Sequence, residues 1–169
     1  MAAIEPGRFL VEFMEPALVE LVGISDRPQM ASDDSKRFLL AVALQESRLL
    51  YRKQLNSGPA RGFWQCEVNP KAAIGGVLDH KQAGAWLREA CAYYSIPAQR
   101  TVIWEAVTYH DRLATIVARL TLWCDPFLVP RTEAGAWECY AERTWKPGKP
   151  KVSTWPRNWA VAGATVFPS

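Results

Sequence analysis

Glu46 occupies an unusual position for an acidic side chain. It shares one face of a predicted helix with Leu39, Val42 and Leu49, and that face is otherwise apolar. A carboxylate on the apolar side of a buried helix loses hydration, which raises its pKa. A carboxyl group that is still protonated near neutral pH can act as a general acid. The alternative is that Glu46 reaches solvent near the end of the helix or pairs with a nearby arginine.

A second group of candidate residues follows the predicted helix after a turn-rich loop. The sequence there is Gly-Phe-Trp-Gln over 62–65, with Glu67 two residues further on. We predict a short extended piece over 62–67, on which Gln65 and Glu67 face the same side. Glu67 could then position a water molecule or contact a substrate, and the alternative is an ordinary surface acid.

The apolar residues recur at helical spacing along almost the whole chain, and strand signals are nearly absent. The run 38–44 is apolar on all sides, which is typical of a buried central helix, and Ser32 is its predicted N-cap. We therefore predict a mainly α fold with about seven to eight helices and little or no β structure. The predicted helices cover 10–22, 36–51, 70–77, 84–94, 98–109, 113–123, 133–143 and a short last helix capped by Thr154.

Length and composition predict one globular domain over residues 1–169. The chain has 169 residues, of which 49% are hydrophobic and 22% are charged. These values are close to globular averages and exclude a disordered, collagen-like or coiled-coil chain. The formal net charge of +3 is too small for the basic surface expected of a nucleic-acid-binding protein. We therefore expect no nucleic-acid partner.

The cysteines and histidines do not predict a metal site. The four cysteines form no Cys-x-x-Cys pair and have no zinc-finger spacing to His80 or His110. We expect the cysteines to be reduced and buried. His80 lies next to Asp79 at a predicted helix end, and a structural role is expected for both histidines. No phosphate-binding loop or dinucleotide motif is present, so we expect no cofactor.

The two ends of the chain carry no predicted membrane or export signal. The first ten residues lack the basic and apolar regions of a signal peptide. The longest uncharged stretch, 158–169, is too short to cross a bilayer, so no transmembrane segment is expected. We therefore expect synthesis in the cytoplasm, with delivery by another component if the protein acts outside.

Tryptophan is unusually frequent, with eight residues in the chain. Trp104 and Trp123 lie on predicted core-facing stripes of helices. The group Trp145, Trp155 and Trp159 accompanies five basic residues and no acidic one over 143–157. Tryptophan presents a flat apolar face and one N–H donor, which suits both cores and binding surfaces. The sequence leaves open whether these last three rings face the core or a groove.

The order and spacing of these motifs resemble the lysozyme-like superfamily, in particular goose-type lysozymes and lytic transglycosylases. In that group a buried helix ends in Glu-Ser, and Gly-x-x-Gln follows about twenty residues later at the substrate cleft. Glu46 with Ser47, and then the Gly-Phe-Trp-Gln segment 62–65, occupy these places. The family's later Ala-Tyr-Asn motif has a degenerate match around Tyr140, without the asparagine.

The resemblance implies a lysozyme-like fold and cleavage of the β-1,4 bond between N-acetylmuramic acid and N-acetylglucosamine in peptidoglycan. Glu46 would be the acid and then the base, with no metal or cofactor. Gln65 would bind the sugar N-acetyl group or the acid, and Ser47 would bond near the acid or back to a helix carbonyl. The hydroxyl of Tyr140 would hold Glu46. The implied substrate-binding residues are Ser47, Phe63, Trp64, Gln65, Glu67 and Tyr140.

The same resemblance implies a phage origin and two routes to the cell wall or periplasm. The protein would wait in the host cytoplasm for a holin, or act as a component of the virion. Its expected partners are peptidoglycan glycan strands, with virion or tail proteins as a second class. Whether the product is that of a hydrolase or of a transglycosylase is left open. The alternative function is a non-catalytic virion or wall-binding protein that retains the fold.

Overall fold

The structure, a computed structural model, describes residues 2–69 and 73–169. These residues form eight helices, and the only strand-like pairings among them are isolated bridges of Arg61 with Lys53 and Cys66. The prediction of a mainly α fold is confirmed. Two helices contain a π-helical segment, which we include in the helix. The helices are α1 (Pro6–Phe9, Leu10–Met14 and Glu15–Ser25), α2 (Asp33–Ser47), α3 (Ala73–Asp79), α4 (Lys81–Tyr93), α5 (Arg100–Ala106), α6 (Asp111–Trp123), α7 (Glu133–Glu138 and Cys139–Thr144) and α8 (Trp155–Val166).

Helix α2 is the central helix that the sequence predicts. Its N-cap is Ser32, whose hydroxyl accepts a hydrogen bond from the backbone N–H of Ser35 at 3.3 Å. Asp33 and Asp34 lie in the first turn, where negative charge is favourable because the helix dipole is positive there. All residues from 38 to 43 are buried, and the helix packs most extensively against α8. The last turn of this rigid, buried helix carries Glu46.

The other helices surround α2 and share one apolar core with it. Helix α6 presents Leu113, Ile116, Val117 and Leu120 to that core, and all four side chains are fully buried. This stripe has the spacing that the sequence indicates for a core-facing helix.

Both histidines serve as helix N-caps. The Nδ1 atom of His80 accepts a hydrogen bond from the N–H of Ala83, and that of His110 from the N–H of Leu113, each at 3.1 Å. These bonds satisfy backbone donors that have no partner within the helix. The structural role expected for the histidines is therefore what the structure shows.

Several predicted element boundaries are wrong. Helix α2 ends at Ser47 and not at 51, because Arg48 has a φ of 56° and Leu49 a φ of 52°. Helix α1 continues through Gly23 to Ser25 and ends where Asp26 takes the left-handed conformation. Thr154 precedes α8 but makes no capping bond with its side chain. The predicted helix over 70–77 begins outside the described part of the chain, which does not include residues 70–72.

Residues 62–65 form a turn, so the segment 62–67 is not the predicted extended piece. Gly62 has a φ of 72°, and the carbonyl of Gly62 accepts a hydrogen bond from the N–H of Gln65 at 3.0 Å. The turn is closed by paired backbone bonds between Arg61 and Cys66. The expectation that Gln65 and Glu67 share a side therefore rested on the wrong local geometry.

All four cysteines are free thiols, three of them buried and Cys124 partly exposed. Within the described ranges, no three His, Cys, Asp or Glu residues are grouped so that they could hold a metal ion. No helix in this part of the chain combines the length and apolarity needed to cross a membrane.

Candidate active site

The carboxyl group of Glu46 lies at the end of α2 and is largely buried. One of its oxygens, Oε1, accepts a hydrogen bond from the hydroxyl of Tyr140 at 2.6 Å. Arg52, a nearby arginine that could have paired with Glu46, instead forms an ion pair with Asp111. The hydroxyl contact implied for Tyr140 is therefore present, and it joins residues on α2 and α7.

Burial raises the pKa of Glu46 from its ordinary value of 4.5 to about 7. Loss of hydration is the largest cause, because it disfavours the charged carboxylate. The hydrogen bond from Tyr140 acts in the opposite direction, since it stabilises the carboxylate. The negative charge of Glu67 raises the pKa further. A substantial fraction of Glu46 is thus protonated at neutral pH, as a general acid requires.

Tyr140 is held in place by an aromatic cluster. It lies in the π-helical part of α7, and its ring stacks on that of Trp155 at a centroid distance of 5.2 Å and an interplanar angle of 4°. Trp137 packs against both rings, and Trp159 stacks on Trp155. Because these rings hold the phenol in place, its hydroxyl forms the hydrogen bond to Glu46 at little further cost in side-chain entropy.

Two cavities meet at Glu46. The first has a volume of ≈ 300 Å³, and its wall includes Gln65, Glu67 and Trp145. The second has a volume of ≈ 720 Å³, and its wall includes Tyr140. Glu46 and Pro147 line both cavities. The acid is therefore placed where a chain-like ligand could occupy space on either side of it.

Gln65 and Glu67 reach the first cavity together with Glu46. The turn gives Gln65 a φ of 48°, and its side-chain amide donates to the carbonyl of Gly62 at 2.9 Å. Glu67 accepts a hydrogen bond from the amide of Asn69 at 3.2 Å. A turn thus brings together the two side chains for which we had expected an extended segment.

Three residues implied to border the cleft have buried side chains instead. Phe63 packs edge-on against Phe9 at 5.2 Å, and Trp64 is fully buried and donates its Nε1–H to the carbonyl of Leu39 at 2.8 Å. The hydroxyl of Ser47 donates to the carbonyl of Ala43 at 2.9 Å, which is the back-bonding alternative. Phe63 and Trp64 therefore belong to the core, whereas Ser47 lies on α2 and borders the second cavity.

Trp145 is an aromatic wall residue that the motif comparison did not identify. It is partly exposed in the first cavity, and its Nε1–H donates to the carbonyl of Trp64 at 2.9 Å. Trp155 and Trp159 are buried. The question about the last three tryptophans is thus answered: two rings lie in the core and one lines the cavity. In the sequence, the signal for Trp145 is the basic, tryptophan-rich segment in which it lies.

Gln45 is a second residue that sequence reasoning missed. Its side chain donates to the carbonyl of Lys151 at 2.9 Å and accepts from Thr154 at 3.0 Å and Asn158 at 2.7 Å. These bonds tie the residue next to Glu46 to the start of α8. Only the tertiary contact reveals them, since these partners lie more than a hundred positions away in the sequence.

The site thus combines a largely buried carboxylic acid, a tyrosine that holds it, a second carboxylate and two adjoining cavities. This arrangement can protonate a leaving oxygen and admit a polymer. Comparison of the chain with family models, curated proteins and solved structures gives no match.

Proposed function

We propose that this protein cleaves the β-1,4 glycosidic bond between N-acetylmuramic acid and N-acetylglucosamine in peptidoglycan. The observation that carries the proposal is the carboxyl group of Glu46, which has a pKa of about 7 and lies at the junction of two cavities. Glycosidases need a protonated carboxylic acid beside the scissile bond. The resemblance of the motifs around Glu46, Gln65 and Tyr140 to lytic transglycosylases supports the same reaction.

The first step is general-acid catalysis by Glu46. Its proton moves to the glycosidic oxygen while the bond from that oxygen to the anomeric carbon breaks, and the bonding electron pair stays on the oxygen. The sugar becomes an oxocarbenium-like centre. The resulting Glu46 carboxylate is stabilised by the hydrogen bond from Tyr140.

The second step needs a nucleophile at the anomeric carbon, and Glu46 then acts as base. In a transglycosylase, the 6-hydroxyl group of the same sugar attacks, its proton returns to Glu46, and a 1,6-anhydro ring forms. In a hydrolase, a water molecule attacks, and Glu67 is the candidate to position it because it lines the same cavity. Both routes regenerate the protonated Glu46.

We further propose that the protein acts at the bacterial cell wall and is of phage origin. It would reach the wall through a holin during lysis or as part of a virion during entry. The adjoining cavities on either side of Glu46 suit a glycan strand, which extends in both directions from the scissile bond.

The direct test is the variant Glu46→Gln, assayed on purified peptidoglycan. The amide has nearly the same shape but has no proton to donate, so the rate of wall cleavage should fall by about 100-fold or more. Glu105→Gln is the matched control, since Glu105 is an exposed glutamate on α5. Unchanged cleavage by Glu46→Gln would refute the assignment. If the wild type shows no cleavage but binds peptidoglycan, the protein is a non-catalytic wall-binding protein.

The products distinguish the two routes. Digestion in H₂¹⁸O followed by mass spectrometry should give 1,6-anhydro ends without label for a transglycosylase. A hydrolase would give reducing ends that carry one ¹⁸O atom.

A further inference from the structure

The second cavity has an unusual set of charges. Of the described residues in its wall, Glu46 alone is acidic. Within residues 2–69 and 73–169, none of the basic residues that line it forms an ion pair with a carboxylate. These unpaired basic residues are Arg48, Lys149, Lys151 and Arg157.

The first cavity, which Glu46 also lines, is nearly balanced in charge. Two of its wall residues, Glu46 and Glu67, are acidic, and Lys146 is the one described cation among them. Its other polar groups include three side-chain amides, which belong to Gln54, Gln65 and Asn69. The cations of the second cavity therefore have no counterpart in the first, where Lys146 is matched by Glu67.

The second cavity, called the basic cavity below, is lined by segments whose backbone is held by hydrogen bonds. The carbonyl of Lys151 accepts a hydrogen bond from the Gln45 amide at 2.9 Å. Gln45 also accepts from Asn158, one residue after Arg157. Arg48 follows the end of α2 directly and has a left-handed φ of 56°. The four cations are thus attached to segments that are connected to the helix of Glu46.

Size and polarity indicate what the basic cavity can bind. Its volume of ≈ 720 Å³ lies within the range of about 300–1,000 Å³ that is usual for ligand sites. Unpaired Lys and Arg side chains form their strongest hydrogen bonds with carboxylates or phosphates. The wall also contains Tyr51 and Leu55, both substantially exposed, which offer apolar contacts. A ligand with carboxylates and apolar groups would match these features.

We propose that the basic cavity binds the carboxylates carried by the muramic acid side of the scissile bond. This proposal rests on the proposed function. The muramic acid sugar bears a lactyl ether, whose carboxyl group is either free or extended by a stem peptide with carboxylates of its own. The N-acetylglucosamine residue next to the scissile bond carries no charge and would occupy the amide-lined first cavity. The difference in charge between the two cavities then sets the direction in which the glycan strand lies.

The test measures binding and uses Glu46→Gln as the background, so that no cleavage interferes. The probes are peptide-bearing glycan strands, strands freed of peptide by an amidase, and chitohexaose, which has the same β-1,4 backbone but no carboxylate. To this background we add Lys149→Gln with Arg157→Gln. Arg27→Gln with Lys81→Gln is the matched control, because both residues are exposed and neither lines a described cavity.

We expect the Lys149 and Arg157 substitutions to raise the Kd for peptide-bearing strands by about tenfold and to leave the Kd for chitohexaose unchanged. The control pair should change neither value by more than about twofold, because surface charges far from the ligand are screened by salt. If peptide-free strands respond as well, the cavity binds the free lactyl carboxylate in those strands and the stem-peptide carboxylates in the others. If only peptide-bearing strands respond, it is the stem peptide.

Three results would overturn the proposal. The first is an unchanged Kd for both kinds of strand, and the second is an equal loss of affinity with the control pair. The third is an equal effect on chitohexaose, which would indicate a general disturbance of the groove. The outcome is independent of catalysis: carboxylate-dependent binding without cleavage by the wild type would reject the enzymatic function and keep this site.

Discussion

At the scale of single residues, the properties of Glu46 come from its neighbours. Burial raises its pKa, Glu67 raises it further, and Tyr140 lowers it by stabilising the charged form. The balance leaves a carboxyl group with a pKa of about 7. The protonated form of Glu46 is therefore present at neutral pH, where the proposed reaction needs it, and its fraction falls as the pH rises.

This balance predicts the pH dependence of catalysis. The rate should decline as the pH rises through about 7, because Glu46 loses the proton that it must donate. Glu67→Gln removes a negative charge that raises the pKa of Glu46, so the alkaline limb of the kcat/KM profile should move to lower pH. Glu105→Gln should leave the limb in place. An unchanged or upward-shifted limb in Glu67→Gln would contradict the charge interaction.

At the scale of elements, the turn that follows α2 is the part on which the site most depends. It brings Gln65 and Glu67 to the first cavity, while Trp64 anchors it under α2 through the bond to Leu39. The carbonyl of Trp64 also receives the Nε1–H of Trp145, the aromatic ring in the cavity wall. The turn therefore connects the helix of Glu46 to the segment after α7.

Gly62 is the residue of this turn that cannot be substituted without strain. Its φ is 72°, and a Cβ atom at this position would lie 2.5 Å from the carbonyl oxygen of Val107. We expect Gly62→Ala to lower the free energy of unfolding by about 2 kcal/mol or more, since it adds backbone strain to a steric clash.

Gly23→Ala is a matched control within the same chain. Gly23 lies inside α1, and a Cβ atom there would have no neighbour within 4 Å. This variant should be more stable than the wild type by about 0.5–1 kcal/mol, because alanine favours a helix. Urea denaturation of both variants measures the two changes. Equal stability of Gly62→Ala and the wild type would refute the assigned role of the turn.

At the scale of the whole molecule, the carboxyl group of Glu46 lowers the stability of the folded protein when it is charged. The pKa of Glu46 is higher in the folded state, at about 7, than its ordinary value of 4.5. The folded protein therefore holds this proton more tightly than the unfolded chain does. The stabilisation that comes from this tighter proton binding is fully present below pH 4.5 and is lost as the pH rises through 7.

Glu46→Gln should remove this pH dependence. The amide carbonyl can still accept the hydrogen bond from Tyr140, and it has no charge to bury. The stability of the variant relative to the wild type should increase by up to about 3 kcal/mol between pH 4 and pH 9. Thermal or urea unfolding at the two pH values measures this difference. A constant difference across this range would show that the Glu46 carboxyl is not destabilised by burial.

The sequence by itself determined the helices and the identity of the buried acid. Helix α2, its Ser32 cap and the position of Glu46 near its end follow from apolar spacing and capping preferences, which are local properties of the chain. The ends of helices were less predictable. Arg48 and Asp26 end their helices in left-handed conformations, although neither is a glycine, the residue that usually marks such an end.

The tertiary structure alone decided which side chains surround that acid. Tyr140 lies 94 positions from Glu46, and the motif around it indicated the contact only through a family resemblance. Trp64, which the resemblance placed at the cleft, lies in the core, and Trp145, whose place the sequence left open, lies in the cavity wall. The difference in charge between the two cavities also depends on residues from distant segments. Such contacts follow from how helices pack, and local sequence patterns carry no record of that packing.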